Sequence, residues 1–316
     1  MIKKFIYALL RFSIVPLAVL LFLETGIAVR KKELLTEYRL EKVFRNSGNA
    51  NQWVAQVNHP RKVLLLGSSS VKYGLSCSLL NKLSNDSLAF INLAADARDP
   101  VETYFILKQI DLTHVKTVFM GIDPWIFTKN YYRNRNPYLY LDLGILSAAR
   151  YSLEHDPKLF PNRYKCLIGS QLSSPAVAGK TNQPIPADFG SASLTKKPVN
   201  FNDPVFKKFE LGKYGWSGLQ FEYLQKIVRL CESRHITFTA FYPPKRSDFI
   251  ADYNTYCKEI HTSFLEKLKE AGFTSPITCS FSSMQPGGDS LFADAYHLNR
   301  KGQEIYTKIF FRLIND

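Results

Sequence analysis

Apolar positions along the chain fall into three kinds of run. The first is nearly continuous: Phe5 to Leu23 is apolar except for Arg11, with Lys3 and Lys4 before it and Glu24 just after it. Counted on to Val29, it approaches the ~20 residues that cross a bilayer as a helix. The second kind is short, rich in β-branched and aromatic residues and closed by turn formers, which is the pattern of a buried strand. Lys62–Leu66, Ser87–Leu93, Val115–Gly121 and Ile236–Tyr242 read this way, with Ser275–Phe281 as a last short strand. The third kind repeats at helical spacing. It predicts helices over Lys31–Gln56 (ended by Asn46-Ser47-Gly48-Asn49), Cys77–Leu83, Asp99–Ile110, Gly218–Arg234, Asp248–Glu270 and Leu298–Leu313. Asp99-Pro100 supplies a cap and a first-turn proline for one of them. Helices alternating with apolar strands predict right-handed crossovers and a mainly parallel sheet in a three-layer α/β/α sandwich of flavodoxin-like type.

One stretch breaks this rhythm. From Ile122 to about Tyr214 the chain is rich in aromatics, Pro, Asn and Ser, and only Leu143–Arg150 suggests a short helix. A structureless loop of that length is improbable inside a compact domain. It reads as an insertion, at about 123–215, packed over the active edge of the sheet. The expected organisation is therefore a transmembrane anchor over 1–30, a helical stalk over 31–58 and an α/β domain over 59–316.

Composition changes this picture little. The chain has 316 residues, 46% hydrophobic and 22% charged, an ordinary globular balance. Its net charge of +14 favours anionic partners. No basic-aromatic nucleic-acid motif stands out, so membrane surfaces and envelope polymers are the expected partners and nucleic acid is not. Five widely spaced cysteines without a Cys-x-x-Cys pair read as buried thiols rather than as a metal or redox site. Gly26-Ile27-Ala28 resembles a signal-peptide cleavage site, but the length of the apolar run favours a retained anchor. Basic residues on both sides of the run leave orientation open by charge; a short cytoplasmic amino end with an exported domain is the simpler arrangement.

Chemistry concentrates at two places. Val63-Leu64-Leu65-Leu66 runs into Gly67-Ser68-Ser69-Ser70, a strand ending in a tight turn of hydroxyls. The carboxyl end of a central strand is where open α/β sheets bind their ligands. Far along the chain stands Asp294-Ala295-Tyr296-His297. An Asp three residues before a His can fix the imidazole tautomer and leave the other nitrogen as a base, which a serine hydroxyl needs in order to act as a nucleophile.

These two motifs together resemble the SGNH/GDSL hydrolase family, and within it the membrane-anchored branch linked to acylation of cell-envelope polysaccharide and teichoic acid. The resemblance implies that Ser69 is the nucleophile, that Ser68 replaces the family's Asp, and that His297 and Asp294 complete a triad. It also implies oxyanion donors: the Ser69 amide, an amide after strand two in Asn92-Leu93-Ala94-Ala95-Asp96, and a side chain after strand three. The family's strand-two glycine is missing, which leaves an amide at Ala94 or Ala95, with Asn92 beside it. After strand three Asp123 stands where the family has Asn, and a carboxylate cannot donate to an oxyanion. The implied activity is a serine esterase or O-acyltransferase acting on an acylated envelope glycan, with no cofactor or metal, working beside a membrane-bound acyltransferase. The alternative from another class is an inactive SGNH-like scaffold that binds such an acyltransferase or glycan. A lipid esterase is a third expectation. Trp125, Phe127, Tyr131, Tyr132, Tyr138 and Tyr140 read as core and lid packing or as a sugar cleft, and Asn299 as a helix cap.

Overall fold

In a computed structural model, the structure describes residues 2–37, 50–129, 141–155, 157, 160, 163–164, 167, 188–194, 215–246, 262–273, 288–294 and 297–315. The chain divides into two compact units, one of Met1–Val43 with Asn134–Lys180, the other of Phe44–Arg133 with Thr181–Asp316. Much of the expected insertion thus groups with the amino-terminal segment rather than with the sheet.

The second unit is built on four parallel strands, β1 (Lys62–Leu66), β2 (Ala89–Asn92), β3 (Val115–Gly121) and β4 (Thr237–Phe241), in the order β2-β1-β3-β4. All five residues of β1 are buried, as a central parallel strand requires. Period-two alternation then sends its side chains to opposite faces. Leu64 and Leu66 join Ile91, Val118 and Met120 on one face. Val63 and Leu65 join Phe90, Phe119 and Phe241 on the other.

Each face is covered by helices whose apolar stripes the sequence predicts. α5 (Pro100–Gln109) contributes Ile106 and Leu107 to the first face, α7 (Gly218–Ser233) contributes Leu224 and Ile227, and the helical stretch 262–270, here α8, contributes Phe264 and Leu268. α2 (Ala50–Gln56) adds Ala50 and Val54. The second face receives Cys77 and Leu80 of α4 (Cys77–Leu83) and Tyr306 and Phe310 of α9 (Arg300–Leu313). Phe310 stands edge-on to Phe119, with ring centroids 5.3 Å apart, and 5.0 Å from Phe241. Between β1 and α4 lies one short helix, α3 (Ser69–Lys72).

Capping explains several boundaries. Asp99 accepts from the Glu102 amide at 2.9 Å, Ser76 from Leu79, Ser217 from Gln220 and Asn299 from Gly302 at 3.0 Å. Each satisfies one of the amides that a helix start leaves without an intrahelical partner. Cys77 and Cys231 are buried free thiols. Desolvation is the first cause raising both, pushing Cys231 up to about 12.

The first unit contains α1 (Ile2–Glu37), one helix with Pro16 inside that covers the apolar run and the first residues of the expected stalk, and α6 (Ile145–His155). The last part of that expected stalk is instead α2, whose Ala50 and Val54 are buried in the core of the sheet unit. Within α1, Arg11–Arg30 is long and apolar enough to cross a membrane, by length and composition alone; a signal sequence passes the same test. The stalk's end at 46–49, the strand at 275–281, the aromatic cluster at 131–140 and most of the helix start near 248 lie outside the described residues.

Phe310→Ala should lower the stability of the sheet unit by about 3–5 kcal/mol, the usual cost of truncating a fully buried phenylalanine. A lower urea midpoint at unchanged slope would show it.

Candidate active site

The chain leaves β1 through Gly67, whose φ of +133° is readily available only to glycine. A Cβ there would stand 2.8 Å from the Gly121 carbonyl oxygen and 2.8 Å from the Val71 side chain. The tight exit brings Ser68, Ser69 and Ser70 to the carboxyl end of the sheet. The strand order reverses there, with β2 on one side of β1 and β3 on the other, which is where open α/β sheets form a crevice.

His297 arrives from the other end of the chain. Phe292 pairs with Leu298, the Ala293 amide donates to the His297 carbonyl at 2.8 Å, and the Asn299 amide donates to the Leu291 carbonyl at 2.9 Å. This narrow loop is clamped onto α9 at Gly302, where a Cβ would come within 2.1 Å of the Leu291 carbonyl oxygen. Leu298, 4% exposed, plugs into the second core face and fixes the loop's depth.

The two ends meet at hydrogen-bond distance. Ser69 Oγ is 2.8 Å from His297 Nε2, and His297 Nδ1 is 2.7 Å from Asp294 Oδ2. The other Asp294 oxygen accepts from the His297 backbone amide at 2.8 Å. A carboxylate only accepts, so Nδ1 carries the hydrogen toward Asp294 and Nε2 is left to accept from the Ser69 hydroxyl. The His297 side chain is 15% exposed, so it is sheltered and still reachable. Tyr73 packs edge-on against the imidazole, with centroids 5.4 Å apart. The Lys72 ammonium lies 4.9 Å from the Tyr73 ring and 3.0 Å from Asp96.

The remaining residues singled out in the sequence have other partners. Asp123 is buried directly beside the serine turn. Its Oδ2 accepts from both Ser68 Oγ and Ser70 Oγ, each at 3.2 Å, and its Oδ1 pairs with Lys245 Nζ at 2.7 Å. Lys245 also donates to Ser70 Oγ at 2.8 Å and lies over the Trp125 ring at 4.6 Å. Asp123 is therefore neutralised and tethered, and its carboxylate holds the residues on either side of Ser69. Burial lowers the Lys245 pKa, and Asp123 opposes that shift.

Asn92 is fully buried beneath the turn. It donates to the Val71 carbonyl and to Ser191 Oγ, both at 3.2 Å, and accepts from the Ala94 amide at 3.0 Å. The Ala95 amide donates to the Gly67 carbonyl at 3.2 Å. The amides expected to face an oxyanion are thus engaged within the fold, and Asn92 supports α3 from below. Of the three expected donors, the Ser69 amide alone makes no hydrogen bond among the described residues. Trp125 and Phe127 are buried, Phe127 among Phe221 and Phe264, so they belong to the core rather than to a cleft.

Two features were missed in the sequence. Lys245 follows Pro243-Pro244 at the end of β4. A lysine just past an apolar strand, at the same sheet end as Ser69, was the available signal. The second is the segment 188–194, which stitches the site together. Asp188 accepts from the Ser78 amide at 2.5 Å, and the Ala192 amide donates to the Lys72 carbonyl at 3.0 Å. Gln303 of α9 donates to the Ala192 carbonyl at 2.7 Å and to Leu75 at 3.2 Å. The Arg300 amide donates to Leu194, three residues past His297. The serine side and the histidine side are thereby joined.

No family model matches the chain, and no curated protein matches it.

Lys245→Met leaves the Asp123 carboxylate buried without its cation and should cost about 3–5 kcal/mol. Combining it with Asp123→Asn should recover much of that loss, so a double-mutant cycle by denaturant unfolding should show strong coupling.

Proposed function

We propose that the chain is a membrane-anchored, SGNH-like serine esterase or O-acyltransferase acting on acyl groups of a cell-envelope polysaccharide or glycan. In this reading α1 is a single-pass anchor, and the α/β unit is a three-layer sandwich on the extracytoplasmic side. The observation that carries the reading is the hydrogen-bonded series Ser69 Oγ, His297 Nε2, His297 Nδ1 and Asp294 Oδ2, with links of 2.8 and 2.7 Å.

The chemistry follows from that series. Ser69 Oγ attacks the acyl carbonyl carbon while its proton moves to His297 Nε2. The resulting imidazolium is stabilised and oriented by Asp294. The tetrahedral oxyanion is met by the Ser69 amide. Collapse breaks the ester C–O bond, and His297 returns the proton to the departing alkoxide. A water or a sugar hydroxyl then attacks the Ser69 acyl ester, giving up its proton to His297 and regenerating the hydroxyl. Hydrolysis and transfer differ only in that acceptor, and exclusion of water favours transfer.

A second reading is an inactive scaffold that binds a membrane acyltransferase or the glycan itself. It is favoured by the engaged amides of Ala94 and Ala95 and by the tethered Asp123, which leave the oxyanion with few donors. Loss of one such donor costs about 10²–10³ in rate.

A fluorophosphonate probe separates the two readings. The enzyme reading predicts labelling that Ser69→Ala abolishes and that His297→Ala slows about 10²–10⁴-fold, the usual worth of a general base. A folded wild-type chain that does not label favours the scaffold. Loss of wild-type Ser69 function in cells should change the ester-linked acyl content of envelope glycan, read by mild-alkali release.

A further inference from the structure

α6 presents an unusual outer face. Ala148, Tyr151 and Ser152 turn inward, and Ser152 Oγ accepts from the Phe160 amide at 2.8 Å. Outward, Leu146 and Leu153 are 83% and 76% exposed. Seven residues apart, they lie on the same side of the helix. Arg150, also exposed, falls between them, its guanidinium 4.4 Å from the Tyr151 ring. Two bare leucines flanking an arginine form a small amphipathic edge of the kind that lies in a lipid interface.

Position relative to α1 gives this edge its meaning. Arg163 is 1% exposed, and its guanidinium grips Glu24 of α1 through Nη2 at 2.7 Å and Nε at 3.1 Å. The same guanidinium donates to the Leu143 carbonyl at 3.1 Å, two residues before α6 begins. Tyr164 Oη also donates to Glu24, at 2.8 Å. On α1, Ile27 is 3% exposed, and Leu167 lies 3.6 Å from where a Cβ on Gly26 would be. The start of α6 is thus tied to α1 at the level of residues 24–27.

If α1 spans the bilayer, its apolar run ends at that level. If the span is the apolar run Phe5–Leu23, Glu24 is the first residue beyond it. If it is Arg11–Arg30, Glu24 lies six residues inside, about 9 Å at 1.5 Å per residue. The first register puts Glu24 at the headgroup region, where a carboxylate satisfied by a buried arginine and a tyrosine is at home, whereas the second sinks that carboxylate into hydrocarbon, which is costly and favours the first. Upstream, Phe12, Val15, Leu17, Leu21 and Phe22 of α1 are all exposed, as side chains facing lipid would be.

We infer that α6 is an interfacial helix: Leu146 and Leu153 insert into the bilayer surface beside the α1 anchor, and Arg150 meets anionic phospholipid headgroups. The inference rests on the reading of α1 as a membrane span. It gives this unit two membrane attachments, one spanning and one lying in the surface, and it makes the leucines lipid contacts rather than a protein-docking patch.

The test uses the full chain in nanodiscs of phosphatidylcholine and phosphatidylglycerol that contain no other protein. Cys166, Cys257 and Cys279 are replaced by Ser, while the buried Cys77 and Cys231 remain. An environment-sensitive NBD label is placed by Leu146→Cys, Leu153→Cys or, as a reference in the span, Phe22→Cys. These sites are exposed, so the labels leave packing undisturbed. The expected result is blue-shifted emission at 146 and 153, quenched by doxyl-lipid as strongly as at 22 and shielded from aqueous iodide. Quenching at 22 with iodide-accessible labels at 146 and 153 overturns the inference while leaving the anchor intact, and is the outcome a protein-docking face would give. Iodide access at all three positions overturns both.

Discussion

Asp123 stands at the end of β3 with its two oxygens fully committed. One takes the hydroxyls of Ser68 and Ser70, and the other takes the ammonium of Lys245. Ser69 is the residue between those two hydroxyls, so its direction follows from where this carboxylate sits. The pair is buried, and burial of two charges is costly unless geometry and additional hydrogen bonds offset the desolvation. Here Lys245 also donates to Ser70 and lies over the face of Trp125. A buried ion pair is weak evidence for stability in general. In this fold its clearest consequence is orientation: a strand, a serine turn and the end of β4 are locked together at one point.

The histidine side depends on a different kind of constraint. His297 is carried by a loop closed at Phe292 and Leu298, pressed onto α9 where Gly302 admits the Leu291 carbonyl. It has no contact with Asp123 among those described, yet it arrives within 2.8 Å of Ser69 Oγ. The segment 188–194 explains how, since it hydrogen-bonds to α3, to the start of α4 and to α9. Two independently anchored loops are thus held in register by a third stretch that belongs to no helix or strand.

Much of this was legible in the sequence. β1 and β3 have the predicted bounds, and β2 and β4 lie within theirs, because apolar runs closed by turn residues are a strong local signal. α4, α5 and α7 likewise follow from capping residues and helical spacing. Ser69, Asp294 and His297 were identified by motif and do come together. What stayed hidden was tertiary in origin. Nothing local says that Asp123 will find Lys245, more than a hundred residues on, or that the Ala95 amide will turn back to Gly67. The aromatic residues after β3 leave core packing and a sugar cleft both open in the sequence, because composition alone does not tell a packed aromatic from an exposed one; Trp125 and Phe127 are core. The grouping of 134–180 with the amino-terminal helix follows from contacts such as Arg163 to Glu24, which no periodicity announces.

In the proposed reaction the Ser69 hydroxyl, its proton passing to His297, forms an acyl ester. Intact-mass analysis of the full chain after brief exposure to an activated acetyl ester, quenched in acid, tests it most directly. The account predicts one added acetyl group, located by peptide mapping on the segment containing Ser69 and lost on later incubation with water or a sugar acceptor. A folded chain that gains no acyl group, or gains it only on lysines and other residues away from Ser69, would contradict it.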